Sequence, residues 1–221
     1  MTQIHKTMIA KFLTFVLCMN IILVPTAYAS EPQNGMSTLF SESGTTETLI
    51  IDGVHYTYNR FLRNGDHVTI ITNDANSTIE EIVFDVDSSV LYYNGTKVAV
   101  LPPVSTSDSV SVARFTWQTI SKDSYYISWS TGTSVAAVGD MIATALASLA
   151  GAYGGGLTAA LVISTLGSGF SSTAQSAIGG TISCELQMLL VPGSLNQYRY
   201  IWSFTASNGD SYGPYMSDIY F

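Results

Sequence analysis

Few side chains in this 221-residue chain could carry reaction chemistry, and their spacing is against it. A serine nucleophile elbow needs Gly-x-Ser-x-Gly between a strand and a helix. The nearest approach, Gly167-Ser168-Gly169, has the wrong spacing and falls inside a helical pattern. His55 and His67 lie in strand patterns and read as surface histidines. A cysteine nucleophile would need Cys184 beside one of them, and nothing in the spacing brings them together. Asp85 and Asp87 point to one side of a strand end and, with Asn94 or Asp74, could offer oxygen ligands to Ca²⁺. No loop of calcium-binding spacing accompanies them, so they read as solvated turn carboxylates. Gly151 to Gly156 follows a helical pattern rather than a strand and contains no Gly-x-Gly-x-x-Gly, which argues against a phosphate cradle. The expectation is no enzyme, no cofactor and no metal site.

The unusual element is apolar. Between Asp140 and Glu185 the chain runs 44 residues without a charge, nearly all Ala, Gly, Ser, Thr, Leu, Val and Ile. Taken as a helix from Ser134 to Tyr153, the run places Val135, Val138, Ile142, Leu146, Leu149 and Tyr153 on one stripe. Asp140, Thr144 and Ser148 fall opposite, which predicts that they face water. Gly154, Gly155 and Gly156 break that helix, because glycines inside a helix cost about 1 kcal/mol each. A second helix is predicted from Leu157 to Ile178, with Ala159, Val162, Ile163, Leu166, Phe170 and Ala177 on one face and Ser164, Ser168, Ser171 and Gln175 on the other. Gly179 and Gly180 would stop it. Each arm approaches the roughly 20 residues needed to cross a bilayer, yet each has a polar face. Gly151 and Gly155, with Ala143 and Ala147 at steps of four, form a small-residue face on which helices can approach closely. The residues assigned to membrane contact are Val138, Ile142, Leu146, Leu149, Tyr153, Leu161, Val162, Leu166 and Phe170.

Residues 1–29 combine Lys6 and Lys11, an apolar run from Phe12 to Val24, and Ala27-Tyr28-Ala29, the pattern of a secretory signal peptide cleaved after Ala29. Its removal takes two lysines and no acid, leaving six basic and 16 acidic side chains and a net charge near −10. So acidic a chain does not seek nucleic acid or anionic headgroups by charge. Cys184 then stands alone, which excludes an intramolecular disulfide. It reads as a small buried hydrophobe, with an intermolecular bridge as the alternative.

Residues 30–46 read as a flexible leader. From 47 to 103 the chain becomes a β-meander of four or five strands: Thr48 to Tyr58, Asp66 to Asn73, Ile79 to Val86, Val90 to Tyr93 and Lys97 to Leu101. Asn94-Gly95 is the strongest hairpin signal, since a type I′ turn needs positive φ at both central residues. Residues 104–221 complete one globular unit with the meander. They hold strands at Val110 to Ile120 and Ser124 to Ser130 about a turn at Ser121-Lys122-Asp123, then the hairpin over 134–178. Strands at Thr181 to Val191, Gln197 to Ala206 and Ser211 to Phe221 follow. In Gln197 to Ala206, Tyr198, Tyr200, Trp202 and Phe204 alternate with Arg199, Ile201, Ser203 and Thr205, so one face is an aromatic ladder expected to face the core. The class is α+β: antiparallel strands with an inserted Gly/Ala-rich helical hairpin packed on one face of the sheet.

With its signal peptide, Phe84-Asp85-Val86-Asp87, Tyr93-Asn94-Gly95, the Gly/Ala-rich stretch after Trp129-Ser130 and Tyr198-Arg199-Tyr200-Ile201-Trp202-Ser203-Phe204, the layout resembles the secreted, geobacillin-type large bacteriocin-like proteins of spore-forming Gram-positive bacteria. The resemblance implies a secreted antibacterial protein and carries over no catalytic residue. The hairpin would then act on a target-cell membrane, with an immunity protein as a second partner. The alternative is a secreted binding module, associated with the cell wall, in which the aromatic strands recognise the partner and the hairpin is core.

Overall fold

Alternation of inward apolar and outward polar residues from Thr45 onward makes six consecutive strands: β1 (Thr45–Ile51), β2 (Val54–Arg63), β3 (Asp66–Asn73), β4 (Thr78–Asp85), β5 (Val90–Tyr93) and β6 (Thr96–Val100). The computed structural model describes residues 44–101, 116–150 and 158–217. The six strands pair in chain order as an antiparallel meander. Asn94 and Gly95 turn β5 into β6 with φ of 47° and 75°, as their types require. The run from Thr48 to Tyr58 is two strands, not one. Asp52 and Gly53, at φ 50° and 79°, reverse the chain and set Ile51 opposite Val54. The predicted signal peptide lies outside the described residues, as do most of the leader and Pro102-Pro103.

Four more strands form a second antiparallel sheet in the order β10-β9-β8-β7. They are β7 (Trp117–Ser128), β8 (Gly179–Leu189), β9 (Gln197–Ala206) and β10 (Ser211–Met216). Where two strands about Ser121-Lys122-Asp123 were expected, β7 runs straight through. Its long partner β8 carries the ladder, and a register shift between Thr119 and Ser121 absorbs the surplus residue. The fold is α+β with antiparallel strands, but the helices do not cover one sheet; they lie among two.

The helical elements are α1 (Val135–Ala150), α2 (Ala159–Leu166) and α3 (Phe170–Ser176). Ser134 caps α1, its hydroxyl accepting the Ala137 N–H at 3.0 Å. The predicted second arm divides in two. Gly167, at φ 78°, ends α2 by donating its N–H to Ile163, and Phe170 opens α3. Gly179 and Gly180, expected as a helix stop, instead begin β8, because Ala177 is already extended. A Cβ on Gly180 would sit 2.9 Å from the Thr205 carbonyl oxygen and collide with the Phe204 ring, so glycine here permits close strand packing.

The core joins the inner faces of both sheets to α1, which packs on β4, β7 and β8 as well as on α2 and α3. Tyr58, Ile71, Ile82 and Leu91 come from the meander, and Ile127, Ile182, Tyr200 and Phe204 from the second sheet. At one corner the sheets meet directly, Ser128 Oγ donating to the Val98 carbonyl at 3.1 Å.

Candidate functional site

The residues assigned to membrane contact are mostly core. Val138, Ile142, Leu146 and Leu149 on α1 are buried, as are Val162 and Leu166 on α2 and Phe170 on α3. Leu161 is 48% exposed, and Tyr153 lies outside the described residues. Among the described residues no helix is long and apolar enough to cross a membrane. The pair Gly151 and Gly155 also lies outside. The close approach of helices occurs one step earlier on the same small face, at Gly139, where a Cβ would strike the Ile163 side chain of α2.

Asp140 and Thr144 do not face water. Both are buried, so α1 is enclosed on all sides up to Ala147, with Ser148 half-buried. The reason is electrostatic: Asp140 Oδ1 accepts from Arg60 Nη2 at 2.9 Å, and the two side chains are only 4% and 5% exposed. Arg60 also donates to Glu47 Oε2 at 2.7 Å and lies 4.9 Å from the centre of the Tyr58 ring. Burial opposes the guanidinium charge, but Asp140 and Glu47 outweigh it and raise the Arg60 pKa. The Tyr58 hydroxyl donates to the Ala136 carbonyl at 3.1 Å, and burial, reinforced by Asp140, raises its pKa.

A second clasp holds the start of α1. The buried Glu80 carboxylate accepts from the Ser134 N–H at 3.0 Å, from the Ser134 hydroxyl, and from the Tyr93 hydroxyl at 2.5 Å. A carboxylate at a helix N-terminus also meets the favourable end of the helix dipole. Burial, then the bond to Glu80, pushes the Tyr93 hydroxyl up to about 12. α1 is thus fastened to the meander at three points.

On β9 the alternation separates two surfaces. Tyr200, Trp202 and Phe204 are buried and Tyr198 is half-buried, so the ladder points inward. Phe204 stacks on Trp129 and meets Phe170 edge to face at 6.0 Å. The outward face is solvated. There the Arg199 guanidinium lies 4.2 Å from the centre of the Trp117 ring, and its Nε donates to Gln187 Oε1 at 2.8 Å. Gln187 Nε2 donates to Glu185 Oε1 at 2.7 Å, and Thr119 Oγ1 donates to the same oxygen at 2.5 Å. Bonds from Thr119 and Gln187 lower the Glu185 pKa.

The remaining candidates stay apart. His55 is exposed, while His67 packs against Phe84 at 6.1 Å and its pKa is lowered, by burial first. Cys184 is buried; burial, then Asp123 and Glu185, pushes its thiol up to about 12, so it is no nucleophile at neutral pH. Asp85 accepts the Ser88 N–H at 2.9 Å as a turn carboxylate. No group of three or more His, Cys, Asp or Glu among the described residues is arranged to hold a metal. Ser168 stands in the turn between α2 and α3.

Sequence reasoning missed the pairing of Arg60 with Asp140, although a signal existed. Arg60 shares its strand parity with Tyr56 and Tyr58, and a lone charge on an apolar helix must be paired if buried. No protein-family model matches the chain, and no curated protein or solved structure does either.

Proposed function

We propose that the protein is a secreted binding module of the bacterial cell wall, without enzymatic activity, in which the helical hairpin is core. What supports this reading is the row Trp117, Arg199, Gln187, Glu185 and Thr119, linked side chain to side chain on an open sheet face. Side chains already held in place lose little entropy on binding. The clasps on α1 favour the same reading, since they make the hairpin costly to release. Sedimentation of the full chain with isolated Gram-positive walls is the test. Saturable binding is expected, and a protein left wholly in the supernatant refutes the proposal.

A second reading keeps the antibacterial, membrane-acting role that the resemblance to geobacillin-type proteins implies, with an immunity protein in the producing cell. The exposure of Leu161 and Ile178 on the Gly/Ala-rich arm favours it. Dye release from liposomes, abolished by Leu161→Lys, is its expected signature. Folded protein that releases no dye across a range of lipids and acidities removes it.

A further inference from the structure

We infer that the outer face of the four-stranded sheet binds an uncharged, extended polysaccharide lying along β7 between Trp117 and Tyr126; this rests on the binding-module reading above. Among the described residues, the side chains of this face are exposed or half-buried. Its central rows are hydroxyls in register across three strands, with Ser124 opposite Ser183 and Ser183 opposite Ser203, and beside them Thr181 opposite Thr205. None of these side chains is buried. An aromatic ring stands at each end. Trp117 is half-buried at one, and Tyr126, 52% exposed, at the other, eight ladder positions or about 26 Å away at about 3.3 Å per residue, since the partners are Leu189 and Thr181.

The chemistry selects the ligand class. Sugar rings present apolar C–H faces that stack on aromatic rings, and hydroxyls that pair with planar amide, guanidinium and carboxylate groups. Here Gln187, Arg199 and Glu185 are already oriented by bonds to one another beside Trp117. Charge argues against the alternatives. Lys122 stands opposite Glu185 in the ladder and Arg199 lies beside them, so the face carries only a single net positive charge, whereas the chain as a whole is strongly acidic and repels phosphate polymers. A protein partner would want a buried apolar anchor cluster, which these hydroxyl rows do not offer.

The test uses the full chain with three probes: cellohexaose, chitohexaose and isolated Gram-positive wall sacculi. Trp129 and Trp202 are buried, so a ligand on this face should change the fluorescence of Trp117 alone. Trp117→Ala should weaken binding to the sacculi and to any oligosaccharide bound by at least about tenfold. Ser183→Lys, which leaves the core intact, should do the same with the thermal midpoint unchanged. If the protein binds sacculi and both variants, with normal circular dichroism, stay within about twofold of wild type, the face is wrong while the binding module stands. If neither sacculi nor oligosaccharides bind, both proposals fall.

Discussion

Replacing Asp140 with Ala leaves the Arg60 guanidinium in an interior where its side chain is 5% exposed. Breaking a buried pair by removing one partner costs about 3–5 kcal/mol, because the remaining charge is desolvated without compensation. Glu47 still accepts from Nη1, and its side chain is 34% exposed, so it retains some water and cannot replace Asp140. That places the loss near the lower limit, about 3 kcal/mol. At about 2–4 °C per kcal/mol for a chain of this size, Tm should fall by about 6–12 °C. Arg60→Met with Asp140→Leu removes both charges together. Asp140 Oδ2 has no hydrogen-bond partner among the described residues, so the native pair is imperfectly satisfied and the double variant should be near wild type or more stable. Urea unfolding followed by circular dichroism reads both. A loss below about 1 kcal/mol for Asp140→Ala, or a double variant as unstable as the sum of its parts, refutes the buried-clasp account.

Trp202 packs against Tyr215 at 4.7 Å within the core, and Trp202→Ala should cost about 3–5 kcal/mol in the same urea assay. His67 has a folded pKa below its ordinary 6.5, through burial. Its contribution is therefore full above that value and lost as pH falls through the folded pKa. His67→Gln should flatten the stability slope as pH falls below 6.5, and an unchanged slope refutes the assignment. Cys184 should react with a maleimide only at the rate of unfolding, since a thiol pushed up to about 12 is both protonated and covered. Rapid labelling of the native protein by intact-mass analysis would overturn that.

Several elements were determined by local sequence. Asn94-Gly95 allows positive φ at both positions at little cost, so that turn needs no tertiary help. The strict alternation of Gln197–Ala206 placed its strand and its inward aromatics, because the side-chain period of two leaves one face to bury. The start of α1 followed from the apolar stripe that begins at Val135, and the structure adds Ser134 as its cap.

Other features were decided only by what packs where. Helical spacing put Asp140 and Thr144 opposite the apolar stripe and so toward water, but periodicity reports one preferred face and cannot see a second sheet arriving on the other. Once β2 brings Arg60 to within 2.9 Å of Asp140, a charge that would otherwise forbid burial becomes its means. Local signals about Ser121-Lys122-Asp123 suggest a turn, yet β7 runs through because β8 supplies the ladder from Gly179 to Leu189. Gly179 and Gly180 end helices by propensity and here open a strand, since Phe204 leaves room for no side chain at Gly180. The residues of the hairpin carry the same apolar side chains whether they meet lipid or sheet. Their burial among two sheets came from long-range pairing between segments separated by about 80 positions, as between Arg60 and Asp140, and no local pattern encodes that.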